Sequence, residues 1–303
     1  MHNYLMIQPE VATALADNKP VVALESTVIT HGLPYPDNVE TAVKMQTAVR
    51  DGGAIPATIA IIQGQVHVGL TDDQLEYLGR LAGTAVRKCS RRDIPLAIGN
   101  GEDGATTVAG TMILAHQAGI RLFATGGIGG VHRGHPFDIS ADLLELGRTP
   151  VAVVSSGAKS ILDLPATREV LETHGVPIIG YGTDELPAFF ARRSGLPVDI
   201  RLETPEAVAR VLQAHQQTGL QTGLLVTVPV PEADACDPEM VEAAIALATQ
   251  EADDHGIHGP ASTPWLLRRV VELTNGRSLR ANVSLLRNNG YVAATIANAL
   301  CKI

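Results

Sequence analysis

This 303-residue chain has little cysteine, few aromatic residues, no long apolar run and a shortage of positive charge. Its three cysteines, Cys89, Cys236 and Cys301, are odd in number and far apart, which gives neither a disulfide framework nor zinc-ligand spacing. Aromatics make up 3% of the chain. The core must therefore be aliphatic and alanine-rich, and stacking on aromatic platforms is not expected as the main mode of ligand binding. No stretch approaches the ~18 apolar residues of a membrane span. Lys and Arg number 23 against 32 Asp and Glu, a net charge of −9. A general nucleic-acid binder would be basic, so no nucleic-acid polymer is expected as a partner. Met1-His2-Asn3-Tyr4-Leu5 lacks a basic segment followed by an apolar one, and the expected compartment is the cytoplasm. A small anionic substrate stays open, because a local basic pocket can oppose the overall charge.

Apolar residues make up 45% and charged residues 18%, a globular composition with material for a sizeable core. Short β-rich runs alternate with helical patterns. Strands are predicted at 20–25, 57–62, 65–69, 120–125, 151–154, 176–179 and 224–228, with Gln63-Gly64 turning a hairpin. Helices are predicted at 36–50, from Thr71 with a capping box to Gln74, at 105–118 and from Thr204-Pro205. After Asp237-Pro238 the chain reads as helical to its end, broken near Gly259-Pro260. There is no repeat, low-complexity tract or linker. The expectation is one domain over 1–303, an α/β fold in three α/β/α layers around a mixed, mostly parallel sheet. A TIM barrel is the alternative, though eight regular strand–helix units are hard to count.

Lys159 follows the buried run Val151–Val154 in Ser155-Ser156-Gly157-Ala158-Lys159-Ser160, where a strand is expected to hand over to a helix. Ligands bind at such carboxyl ends, and a lysine desolvated there becomes an amine nucleophile. The competing reading is a solvated lysine in a first helical turn. Glu25 closes the first strand, as a general acid or as a carboxylate capping backbone N–H groups. Gly126-Gly127-Ile128-Gly129-Gly130 could bring backbone N–H groups to a phosphate, with Arg133 adding charge, or it is a tight turn. His132 beside it is an acid/base candidate or a structural histidine. Arg87, Lys88, Arg91 and Arg92 form a basic cluster for an anion, or a solvated loop. Asp138 and Asp142, four apart, would share a helix face and could hold Mg²⁺ or Mn²⁺ through a single carboxylate and waters. Alternatively, Asp138 is only a helix N-cap. Asn282 and the pair Asn288-Asn289 could read a nucleobase edge or face solvent.

Together, residues 21–42, 56–62, 90–95, 101–111, 125–134, 137–146, 156–167 and 276–289 resemble, in order, the pseudouridine-5′-phosphate glycosidase family. The resemblance implies reversible cleavage of pseudouridine 5′-phosphate to uracil and ribose 5-phosphate by a homotrimer with Mn²⁺ and an α/β/α fold. It implies Glu25 as proton donor and Lys159 as nucleophile. Lys88, Val108, Ser140, Ala141, Asp142, His132 and Asn282 are implied as substrate contacts and Asp138 as the metal ligand. The chain departs from the pattern twice. It is two residues shorter between Gly134 and Asp138, and it has Ser155-Ser156 where the family has Cys-Ala. A class I aldolase-type lyase acting on another sugar phosphate, or a non-catalytic phosphonucleoside-binding protein, would share parts of this constellation.

Overall fold

The computed structural model describes residues 4–84, 86–257, 259 and 262–303. The first half of the chain forms strands β1 (Leu5–Ile7), β2 (Val21–Leu24), β3 (Ile55–Ile62), β4 (Gln65–Val68), β5 (Arg87–Cys89), β6 (Gly104–Thr106), β7 (Leu122–Ala124), β8 (Val131–His132) and β9 (His135–Ile139). Its helices are α1 (Pro9–Ala16), α2 (Asp37–Asp51), α3 (Asp72–Arg80), α4 (Ile94–Gly99), α5 (Val108–Gln117) and α6 (Ala141–Leu146). The second half adds strands β10 (Ala152–Ser155), β11 (Leu162–Asp163), β12 (Ile178–Tyr181), β13 (Ile200–Leu202) and β14 (Leu224–Thr227). Its helices are α7 (Leu164–Thr173), α8 (Pro205–Thr218), α9 (Pro238–Asp254), α10 (Ser262–Leu273) and α11 (Arg277–Leu300).

The main sheet runs β1-β4-β3-β2-β7-β10-β14-β12-β13, with β6 on β3 and β5 on β6. From β3 to β13 along this path every pairing is parallel, while β3 pairs antiparallel with β4 and β6. This is the mixed, mostly parallel sheet expected. It is open at β1 and β13, so the barrel alternative fails. Helices α2 and α11 pack on strands of the sheet with α8 against α11, while α5 packs on β2, β3 and β7 with α6 against it and α7 against α6. Central strands covered on both faces read as near-continuous apolar runs, and Val21–Leu24, Ala152–Ser155 and Leu224–Thr227 are buried at every position, with the terminal Ser155 and Thr227 hydroxyls bonded to backbone carbonyls. Val22, Val153, Val154, Leu225 and Val226 are fully buried, each contributing about 1.5–3 kcal/mol.

The capping box at Thr71 and Gln74 forms as the sequence predicts. Three expectations do not hold. The helix predicted from Ala105 starts at Val108, because Gly104–Thr106 pairs with β3 and β5 and the Thr106 hydroxyl bonds the Ile59 carbonyl. The helical tail breaks a second time at Gly276, which has φ +76°. Asp138 and Asp142 share no helix face: Asp138 lies in β9, and Ser140, not Asp138, is the N-cap of α6. Strands β9, β8 and β11 form a small antiparallel sheet beside the main one.

The path from β2 continues to β3 on one side, whereas β7 and β10 lie on the other. The crevice at the carboxyl ends of β2 and β7 is therefore a topological switch point, where ligands bind in open α/β sheets.

Candidate active site

Glu25, Thr125 and Ser156 each lie just past the carboxyl end of one of three adjacent strands, β2, β7 and β10. Glu25 is 8% exposed. The Thr27 hydroxyl donates to its Oε2 and the Thr125 hydroxyl to its Oε1. Two hydroxyls, one on each oxygen, fix the plane of this buried carboxyl group.

Beyond β7 and β10 the two segments stay paired. The Ser156 amide donates to the Gly126 carbonyl (2.9 Å), Ile128 to Gly157 (3.0 Å) and Lys159 to Ile128 (3.1 Å). Lys159 is thus held on an extended ribbon, not in a helix, because the next helix, α7, begins at Leu164. Its neighbour Ala158 bridges Ile128.

Glu25, Lys159, Lys88 and Asn282 line one pocket. Its walls also include Thr27, His31, Thr125, Gly126, Gly127 and Phe189, and α10 and α11 close it through Thr263, Leu267 and Leu286. Of the basic cluster, Arg87 pairs with Glu102, Arg91 with Glu145 and Arg92 with Asp93. Lys88 instead turns into the pocket. Burial pushes its ammonium below the ordinary value, the charge of Lys159 pushes it further, and Asp142 and Glu25 oppose both.

Val108, Ser140, Ala141 and Asp142 gather at the N-termini of α5 and α6. Val108 is the first residue of α5, after the N-cap Thr107, which bonds back to Cys89 beside Lys88. Asp142 is buried, and its two oxygens accept the Ala109 amide (2.9 Å) and the Gly129 amide (2.8 Å). Ser140 caps α6, and exposed Ala141 follows it.

The glycine loop differs from the phosphate cradle considered above. The Gly129 and Ile128 amides are already used within the protein. A side chain at Gly129 would collide with the Ser140 hydroxyl, so close packing explains that glycine. Arg133 is committed to Glu242 and to the Ser160 and Leu162 carbonyls.

His132 and Asp138 line a neighbouring cavity with His135, Thr249, Asp253 and Ser262. The Asp138 carboxylate is 39% exposed and 3.5 Å from His132 Nδ1, which also bonds the Asp138 carbonyl at 3.0 Å. No cluster of three potential metal ligands occurs among the described residues. The donor set suits a hydrated divalent ion on a single carboxylate, the arrangement common for Mg²⁺ and Mn²⁺.

Sequence reasoning missed Thr27, Thr125, His31 and Phe189. Burial, followed by the charge of Lys88, holds the His31 imidazole below its ordinary value, and the residue lines the pocket. Phe189 has φ +61°, a strained conformation for a bulky residue. Its amide donates to the Ser156 carbonyl (3.1 Å) while its ring lies against Gly127.

The model of the family described as "Indigoidine synthase A like protein" matches residues 10–299. The chain belongs to this family. It is 58% identical over 299 residues to a protein of Hahella chejuensis named pseudouridine-5′-phosphate glycosidase, covering 98% of each chain. A Clostridium botulinum protein of the same name is 54% identical, with 100% of this chain and 99% of that one covered. Among solved structures, a prealnumycin C-glycosynthase in complex with ribulose 5-phosphate matches with TM-score 0.91 and 44% identity, covering 100% of this chain and 98% of that one. An indigoidine synthase A-like protein of Thermotoga maritima matches with TM-score 0.90 and 36% identity, covering 99% and 98%. Its family relatives therefore share the fold over the whole chain.

Proposed function

We propose that this chain catalyses the reversible cleavage of the C–C glycosidic bond of pseudouridine 5′-phosphate to uracil and ribose 5-phosphate. One observation carries the reading. In a chain so close to the glycosidases, an amine (Lys159) and a carboxyl held by two hydroxyls (Glu25) line the same pocket at the switch point.

The leaving atom is carbon, so the two-carboxylate route of ordinary glycosidases does not serve. Lys159 adds to C1′ as the C1′–O4′ bond breaks, and Glu25 gives its proton to O4′. The Glu25 carboxylate takes a proton from the new C1′–nitrogen and delivers it to uracil C5. The C1′–C5 electron pair goes to C5, and the nitrogen lone pair forms the iminium. Water adds at C1′, ribose 5-phosphate leaves, and Lys159 is regenerated.

Lys88 supplies binding energy to the phosphorylated sugar, remote from the reacting carbon, with Val108, Ser140, Ala141 and Asp142 as further substrate contacts. Asn282 faces the base. Asp138 is the residue that would hold Mn²⁺ with its waters, or another divalent ion, whose charge favours the anionic substrate. His132 would orient Asp138. The chain assembles as a homotrimer, a reading that a solution mass of one 31.9 kDa chain would remove.

The test is uracil release from pseudouridine 5′-phosphate, followed by absorbance with and without Mn²⁺. Turnover is expected for the wild type, together with a borohydride-trapped sugar adduct on Lys159. Both should vanish in Lys159→Ala. Near wild-type turnover in Lys159→Ala refutes the mechanism.

A further inference from the structure

Asn289 sits where the ribbons leaving β7 and β10 separate from the sheet. It belongs to α11 and is fully buried. Its Nδ2 donates to the Thr125 carbonyl at 2.8 Å and to Ser156 Oγ at 3.2 Å, with a longer 3.4 Å contact to the Gly126 carbonyl. The Ser156 hydroxyl donates to Asn289 Oδ1 at 3.3 Å. Both ends of the amide are therefore used inside the protein, so Asn289 reads no nucleobase.

What it joins is specific. Thr125 holds Glu25 through its hydroxyl. Ser156 opens the ribbon that carries Lys159, and its carbonyl accepts the Phe189 amide. A buried hydroxyl is costly unless it is paired, and here its partner is the amide that also grips Thr125. A fully satisfied buried network rigidifies what it connects.

We propose that Asn289 and Ser156 form a positioning pair that sets the Lys159 amine against the Thr125-held Glu25 carboxyl. The pair touches neither substrate nor reacting atoms. It acts through Thr125 and the Ser156–Lys159 ribbon, and the proposal rests on the roles given above to Glu25 and Lys159.

The test is steady-state kinetics of the full chain on pseudouridine 5′-phosphate for wild type, Ser156→Ala, Asn289→Ala and the double variant. Circular-dichroism melts establish that each is folded at the assay temperature. Asn289→Ala should lower kcat on the order of 10- to 100-fold while KM stays within about threefold. Ser156→Ala should lower kcat by about threefold to tenfold, and the double variant should lose no more than Asn289→Ala, since the two act as a unit. An unchanged kcat in Asn289→Ala overturns the proposal. So does a rise in KM with kcat intact, or single losses that multiply. If Asn289→Ala does not fold, wild-type kcat in Ser156→Ala overturns it. An inactive wild type instead refutes the reaction itself, and this proposal falls with it.

Discussion

Burial and the neighbouring charge of Lys159 both pull the Lys88 ammonium below its ordinary 10.5. The unfolded chain carries a lysine with the ordinary value. Between the lowered folded value and 10.5, the unfolded state binds more protons, so this residue makes stability rise with pH across that window. Below the window both states are protonated and the full cost of burying the charge remains. Lys88→Met should therefore raise the thermal midpoint at neutral pH and abolish that part of the alkaline rise. The same change should raise KM for pseudouridine 5′-phosphate about tenfold or more, as expected when a charge-assisted hydrogen bond is lost. A thermal midpoint that falls, with KM unchanged, would show Lys88 to be a structural lysine. Glu25 stood out in the sequence because a charged group directly after an apolar strand is costly unless used, and Lys159 because it follows such a strand among small residues. Thr125, the partner of Glu25, did not, since it lies 100 residues away and only the β2–β7 pairing brings it there.

At the scale of elements, the ribbon after β10 depends on Gly157. Its φ is +78°, and a side chain there would strike the Pro187 carbonyl. Gly157→Ala combines a disfavoured backbone region with a clash that only backbone movement relieves, a cost of about 1–3 kcal/mol. Because Lys159 is two residues on, kcat should fall on the order of 100-fold. Gly175→Ala is the control: φ is +69°, but nothing lies near the added methyl, so its stability cost should be about 1 kcal/mol with kcat unchanged. Equal kcat losses in the two variants would remove the ribbon from the argument. The buried central strands and the capped helices were legible because each buries a continuous run or shows a local cap. Strands β5, β8, β9, β11 and β13 were not. They are two to five residues long, β9 and β13 are largely exposed, and tertiary partners rather than an apolar pattern define them. Asp138 was misplaced onto a helix for that reason: His135–Ile139 has no alternation that separates a half-exposed strand from a helical start.

At the scale of the molecule, the main core runs from Val11 to Leu300. Helix α11, last in the chain, packs on α2 near the start and on α8, and it lies across β2, β7 and β10. Strand β7 pairs with β2 on one side and β10 on the other, so a cut between the halves of the chain would tear the sheet through its centre. These connections argue that residues 1–303 unfold as one cooperative unit. Trp265, the single tryptophan, lies in α10 on the helical tail. Its fluorescence reports the part of the chain best placed to detach, whereas far-UV circular dichroism reports the whole. In urea at fixed protein concentration the two transitions should coincide. Ribose 5-phosphate at about 100 times its Kd should move both by the same amount, equivalent to about 2.7 kcal/mol. Ligand contacts at the pocket would then be felt by the entire sheet, because α10 closes that pocket through Thr263, Pro264 and Leu267. A Trp265 transition at clearly lower urea than the dichroism change would instead make the helical tail a separate folding unit. A ligand shift confined to Trp265 would make the tail a cover over the pocket rather than part of one domain.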